Sequence, residues 1–78
     1  MPRIIEVLAM DGYELLLAYN NNEKRILDMK PFLADPFWAS IAAQPLYRTA
    51  KADGMGISWS NGVDLSPEDA YSFSKPCS

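Results

Sequence analysis

Ile4-Ile5-Glu6-Val7-Leu8-Ala9-Met10-Asp11-Gly12-Tyr13-Glu14-Leu15-Leu16-Leu17-Ala18-Tyr19 is the stretch that decides the fold. A run of Ile, Val, Leu and Met, broken only by Glu6, reads as a strand. Asp11-Gly12 follows, and glycine accepts the positive φ that a tight turn needs. Tyr13, Leu15, Leu17 and Tyr19 then alternate with Glu14, Leu16, Ala18 and Asn20, the period of two that lines one face of a strand. A second turn, Asn20-Asn21-Asn22-Glu23, leads to Arg25-Ile26-Leu27-Asp28-Met29. Three strands joined by two short turns make an antiparallel meander.

Downstream of the meander the pattern changes. Lys30-Pro31 interrupts the strands, because proline cannot donate to a ladder. Asp35-Pro36 is a helix start: the carboxylate caps free N–H groups and proline loses nothing at the first helical position. Phe37, Trp38, Ile41 and Ala42 form one apolar stripe, expected to lie on the sheet, and Pro45 is expected to end the helix. Leu46–Lys51 then reads as a fourth strand and Met55–Ser60 as a fifth, joined by the Ala52-Asp53-Gly54 turn. Met55, Ile57 and Trp59 share one face of that fifth strand. Asn61-Gly62 is a turn, and Val63-Asp64-Leu65 is read as a connection and not a sixth strand. Ser66-Pro67-Glu68-Asp69 opens a second short helix through about Tyr71, with Ser66 as cap. The expected fold is therefore α+β: a small antiparallel sheet, made of a three-strand meander and a later hairpin, packed with two short helices. Residues 1–73 are expected to form one domain, and residues 74–78 a flexible C-terminal tail.

Composition narrows what such a domain does. The chain has 78 residues, 49% of them hydrophobic, with one cysteine, no histidine and a formal net charge of −3. A core of this size is marginal, and one cysteine allows neither an intrachain disulfide nor a cysteine-based zinc site. Without histidine, the Ser-His-Asp and Cys-His arrangements of nucleophilic catalysis are excluded. Cys77, next to the C-terminus, has no preorganised surroundings to activate it. Asp64, Glu68 and Asp69 are the densest acidic group and read as helix capping, since they lack the alternating ligands of a calcium loop. Asp53-Gly54-Met55-Gly56 lacks the lysine and the strand–helix context of a phosphate cradle. No catalytic, cofactor-binding or metal-ligating residue is assigned, no cofactor is expected, and the chain is not expected to be an enzyme.

Net negative charge also argues against nucleic acid, because phosphate contacts come from clustered Lys and Arg. Two local groupings of cations exist, Lys24, Arg25 and Lys30, and then Arg48 and Lys51, each read as the solvated edge of a strand. A nucleic-acid-associated regulator acting through those five residues is the alternative reading. Trp59 and Tyr47 on adjacent strands would offer a base-stacking platform, but core packing or partner contact is favoured. No apolar run reaches membrane-spanning length, and the N-terminus does not have the pattern of a signal peptide. An unpaired cysteine fits a reducing compartment, so the expected location is the cytoplasm.

The order of landmarks carries a resemblance. Pro2-Arg3-Ile4, Tyr13–Tyr19, Arg25–Met29, Gly56-Ile57-Ser58-Trp59, and the run Asn61-Gly62-Val63-Asp64-Leu65-Ser66-Pro67-Glu68-Asp69-Ala70-Tyr71 together resemble the small bacterial domain of unknown function 2442 family. Trp59 to Tyr71 is the most specific part, and the chain departs in having Ala70 where a leucine often precedes the tyrosine. The resemblance implies a compact α+β fold, often standing alone and often encoded beside another small protein in a toxin–antitoxin-like arrangement. Some members are fused to a helix-turn-helix module, but none follows Tyr71, so DNA binding is not expected by analogy. The leading expectation is a non-catalytic protein-interaction module, the antitoxin-like or accessory member of a two-protein system. Its partners would be a small protein encoded nearby and, given the small size and open sheet edges, a second copy of itself in a homodimer.

Overall fold

The computed structural model describes residues 2–54 and 56–77. The expected meander is present: β1 (Ile4–Met10), β2 (Glu14–Tyr19) and β3 (Lys24–Asp28) pair in antiparallel order. The first turn places Gly12 and Tyr13 at positive φ, +78° and +60°. A tyrosine in that region is strained, and its ring holds it there. Its hydroxyl donates to the Ala42 carbonyl at 2.6 Å, and the ring meets Tyr47 edge-on at 5.0 Å.

Glu6 explains itself through a register shift. Ile4 pairs with Tyr19 and Glu6 with Ala18, so Ile5 is the extra residue of a β-bulge. The bulge lets Ile4 turn inward with Val7 and Ala9 while Glu6 turns outward, and a bulged edge resists pairing with other chains. The inner face carries Leu15, Leu17, Tyr19, Leu27 and Met29, all buried.

The middle of the chain departs from expectation. It forms three helical turns and a 3-10 turn: α1 (Lys30–Leu33), α2 (Pro36–Ala39), the 3-10 turn Ser40–Ala42, and α3 (Gln44–Tyr47). Asp35 caps α2 as expected, accepting from the Phe37 N–H at 2.8 Å. Pro45 does not close a helix but sits in the first turn of the next one, where its missing N–H has no helical partner to lose. The fourth strand expected over Leu46–Lys51 is accordingly replaced by α3. Tyr47 and Ala50 are both buried, three residues apart, a helical spacing. Only β4 (Lys51–Ala52) remains, paired with β5 (Ile57–Ser58), so the later hairpin exists in shortened form. The expected fifth strand began at Met55, which lies outside the described residues.

Asp64–Leu65, read from sequence as a connection, is β6 and completes a three-stranded sheet in the order β4-β5-β6. Between β5 and β6 the Asn61-Gly62 turn forms as expected, with Gly62 at φ +91°. Helix α4 (Pro67–Phe73) starts on Ser66, whose Oγ accepts from the Asp69 N–H at 3.2 Å, and runs to Phe73, beyond Tyr71. The chain after Phe73, expected as a flexible tail, instead forms β7 (Lys75–Pro76), antiparallel to β3. Ser74 is buried, and the Cys77 N–H donates to the Lys24 carbonyl at 2.9 Å.

The whole is α+β, with a four-stranded sheet in the order β1-β2-β3-β7 and a smaller three-stranded sheet. One core unites the inner face of the larger sheet with Ile41, Tyr47, Ile57, Trp59, Leu65 and Ala70. Among the described residues, no helix is long and apolar enough to cross a membrane.

Candidate functional site

A cavity of about 450 Å³ opens where α1, α2 and α4 meet the β3–β7 edge. It is lined by Asp28, Pro31, Phe32, Asp35, Trp38, Phe73 and Lys75. That volume falls within the usual range for ligand-sized clefts. Its walls are aromatic. Phe32 meets Trp38 at 5.5 Å and Phe73 at 5.4 Å, both edge-to-face, and Trp38 meets the buried Trp59 at 6.0 Å. Phe37 adds a further ring, 5.3 Å from Trp38. A relay of rings therefore runs from the core at Trp59 to the surface at Phe37 and Phe73, which are 62% and 59% exposed. Edge-to-face pairs of this kind are a preferred aromatic geometry and add to the packing of the rings they join.

Phe37 corrects the expected stripe on the sheet. Of its four members Ile41 is buried and Trp38 is partly covered, but Phe37 stands out in solvent. The α-helical register ends at Ala39 and tightens into a 3-10 turn, so a stripe reckoned on 3.6 residues per turn loses its phase. Phe32 and Phe73 carried no functional signal in the sequence, because they meet across 41 positions and only the docking of α4 joins them.

The rim of the groove is polar. Asp28 lies below its ordinary carboxylate value of 3.8, chiefly because the Lys30 backbone N–H donates to it, with help from the Lys30 and Lys75 ammonium groups. Asp35 is committed to the α2 cap. The groove thus combines apolar walls with two acidic groups and Lys75 at its mouth.

A second cluster lies on the inner side of β3, around Arg25. From sequence this was a solvated cation; it is 9% exposed. Its Nε donates to the Ser74 hydroxyl and an Nη to the Ser74 carbonyl, each at 2.7 Å; the other Nη donates to Glu23 at 2.6 Å. The guanidinium also lies 4.1 Å from the Tyr71 ring centroid, and the Tyr71 hydroxyl donates to Glu23 at 3.0 Å. Arg25 holds the Glu23 carboxyl below its ordinary 4.5, and the bond to Glu23, then burial, pushes the Tyr71 phenol up. Arg25 aims its donors at the protein itself. The cluster clasps α4 and β7 to β3 and does not present a charge for a ligand.

The remaining residues singled out in the sequence do not converge. Arg48 pairs with Asp11 at 2.8 Å and Lys30 with Asp28 at 3.1 Å, while Lys24 and Lys51 lie on different sheets. The five cations therefore form no common patch. Tyr47 sits on α3 and not on a strand beside Trp59, and both are buried in the core. Glu68 and Asp69 occupy the first turn of α4, while Asp64 is exposed on β6. Cys77 is exposed and free.

An α+β domain with one core and an aromatic, acid-rimmed surface groove is the class these observations define. The chain belongs to the family described as "Protein of unknown function (DUF2442)", whose model matches residues 4–76. That span includes β7, beyond the Tyr71 limit of the resemblance seen in the sequence. Neither the curated proteins nor the solved structures gave a match to the chain.

Proposed function

We propose that this chain is a non-catalytic protein-interaction module whose groove receives an apolar or aromatic anchor side chain from a partner protein. The observation that carries this is the exposed Phe73 ring lining a cleft whose Trp38 wall packs on the buried Trp59, with the exposed Phe37 ring against the same Trp38. Large aromatic groups in solvent lower solubility, and clusters of them mark docking sites. Aromatic anchors inside a polar rim are the usual anatomy of a protein interface. Asp28, Asp35 and Lys75 make the mouth polar around these apolar walls. In the two-protein setting implied by the family resemblance, the partner is a small protein encoded beside this one, and the chain acts in an antitoxin-like or accessory capacity. A partner that binds only the folded chain also stabilises it, by about 2.7 kcal/mol at a hundredfold excess over its Kd.

The test is affinity capture from the native host at native expression, with the wild-type chain and a Phe73→Asp variant run side by side. The proposal expects one small protein at stoichiometric yield on the wild type and its loss on the variant, with circular dichroism unchanged. Recovery of the chain alone, or equal capture by both, overturns it.

A further inference from the structure

The larger sheet has a second face, and its residues follow from the register. Leu8 pairs with Leu16, Leu16 with Ile26 and Ile26 with Lys75, so these four cross the sheet in one outward row. On one side of that row lie Glu6, Ala18 and Lys24; on the other lie Met10, Glu14 and Asp28. Leu8, Met10, Leu16, Ala18 and Ile26 all stay outside the core cluster, and Leu8 is 56% exposed. An antiparallel sheet with one solvated face normally carries polar residues there. This one carries an apolar centre with charges at the margins.

We infer that a second copy of this chain covers this face, the two sheets packing as an aligned sandwich about a two-fold axis that crosses the strands near the Leu8-Leu16-Ile26 row. The charges select the occupant and the axis. Rotation about that axis sets Lys24 against the partner subunit's Asp28 and Asp28 against the partner subunit's Lys24. It also sets Leu8, Leu16 and Ile26 on their own counterparts, and Glu14 over Ala18. Asp28 is prepared for this. The Lys30 N–H and ammonium both contact its Oδ1, so Oδ2 is left for the incoming cation. An axis running along the strands instead would match Glu6 to Lys24 but stack Glu14 on Glu14 at the centre, and like charges directly opposed are destabilising. The chosen axis opposes only Lys75 to itself, at the exposed β7 margin, where aligned sheets splay by about 30°.

The face is small. Three strands about 4.8 Å apart and five residues of about 3.3 Å each give roughly 240 Å² in projection, against about 800 Å² per partner in a standard stable interface. The pair is therefore weak, and concentration governs it.

Sedimentation equilibrium of the full chain from micromolar to millimolar concentration tests this. Reversible dimerisation is expected. Leu16→Glu should abolish it, and Lys24→Glu should weaken it about tenfold. Combining Lys24→Glu with Asp28→Lys should restore it, while the groove variant Phe73→Asp should leave it unchanged. Near-ultraviolet circular dichroism confirms that each variant is folded; should Asp28→Lys unfold the chain, the Leu16→Glu and Lys24→Glu results decide. A strict monomer at millimolar concentration overturns the inference, as does rescue of Lys24→Glu by Glu6→Lys in place of Asp28→Lys.

Discussion

Arg25 holds Ser74 by two hydrogen bonds at 2.7 Å, one to its hydroxyl and one to its carbonyl, and so ties the end of the chain to the third strand of the sheet. The two residues are 49 positions apart. Through this contact β7 becomes an edge strand, and α4 is set at the angle that brings Phe73 against Phe32. Replacing Arg25 by alanine leaves the Ser74 hydroxyl its bond to the Tyr71 carbonyl but removes the donor to the Ser74 carbonyl, and a buried polar group left unpaired costs about 1–3 kcal/mol. Chemical denaturation should register that loss. Amide exchange at Cys77, whose N–H bonds to Lys24, should accelerate more than exchange within β1 and β2.

Acid should loosen the same clasp. The Glu23 carboxyl titrates below its ordinary value of 4.5 when folded, because Arg25 and then Tyr71 donate to its charged form. A depressed folded pKa means the unfolded chain binds more protons in that range. The contribution is therefore complete above the ordinary glutamate value and is lost as pH falls through the depressed one. Glu23→Gln should be less stable than wild type at neutral pH, and the gap should close as the pH is lowered towards 3. Paired denaturation curves at several pH values measure this.

The buried Tyr47 hydroxyl has no hydrogen-bond partner among the described residues, and burial pushes its phenol above its ordinary value of 10.0. Above pH 10 the unfolded chain loses this proton while the folded chain keeps it. Stability should then fall by about 1.4 kcal/mol per pH unit for this residue. Tyr47→Phe removes both the unpaired group and that slope. Its Tm at neutral pH should equal or exceed that of wild type, and its alkaline transition should move to higher pH.

Gly56 is buried, and a Cβ there would run into the carbonyl oxygen of Leu65 and the ring of Pro67. These are backbone and proline atoms, which cannot swing aside. Gly56→Ala should cost about 1–3 kcal/mol through overpacking. Gly54→Ala, with open space around its Cα, should lose less, and only through its positive φ of +61°. Thermal unfolding of the two variants separates these effects.

The sequence disclosed the elements whose signals are local. Alternation from Tyr13 to Tyr19 gave β2, Asp35-Pro36 and Ser66-Pro67 gave two helix starts, and Asn61-Gly62 gave a turn; all four depend on neighbours in the chain. Pro45 misled because proline both ends one helix and begins another. The choice between them rested on whether Tyr47 and Ala50 face the core together. The tail misled because two residues of strand carry no pattern at all, and Ser74–Pro76 is ordered by Arg25 from the far side of the sequence. The groove was invisible for the same reason. Phe32, Trp38 and Phe73 look like ordinary core residues until α4 has docked.

Under the proposed function another protein covers the exposed rings at and beside the groove. Hydroxyl-radical footprinting measures this directly, with Phe37, Trp38 and Phe73 labelled in the purified chain and in living cells of the native host at native expression. Strong labelling in isolation with marked protection in cells is the predicted result. Equal labelling in both settings would contradict it.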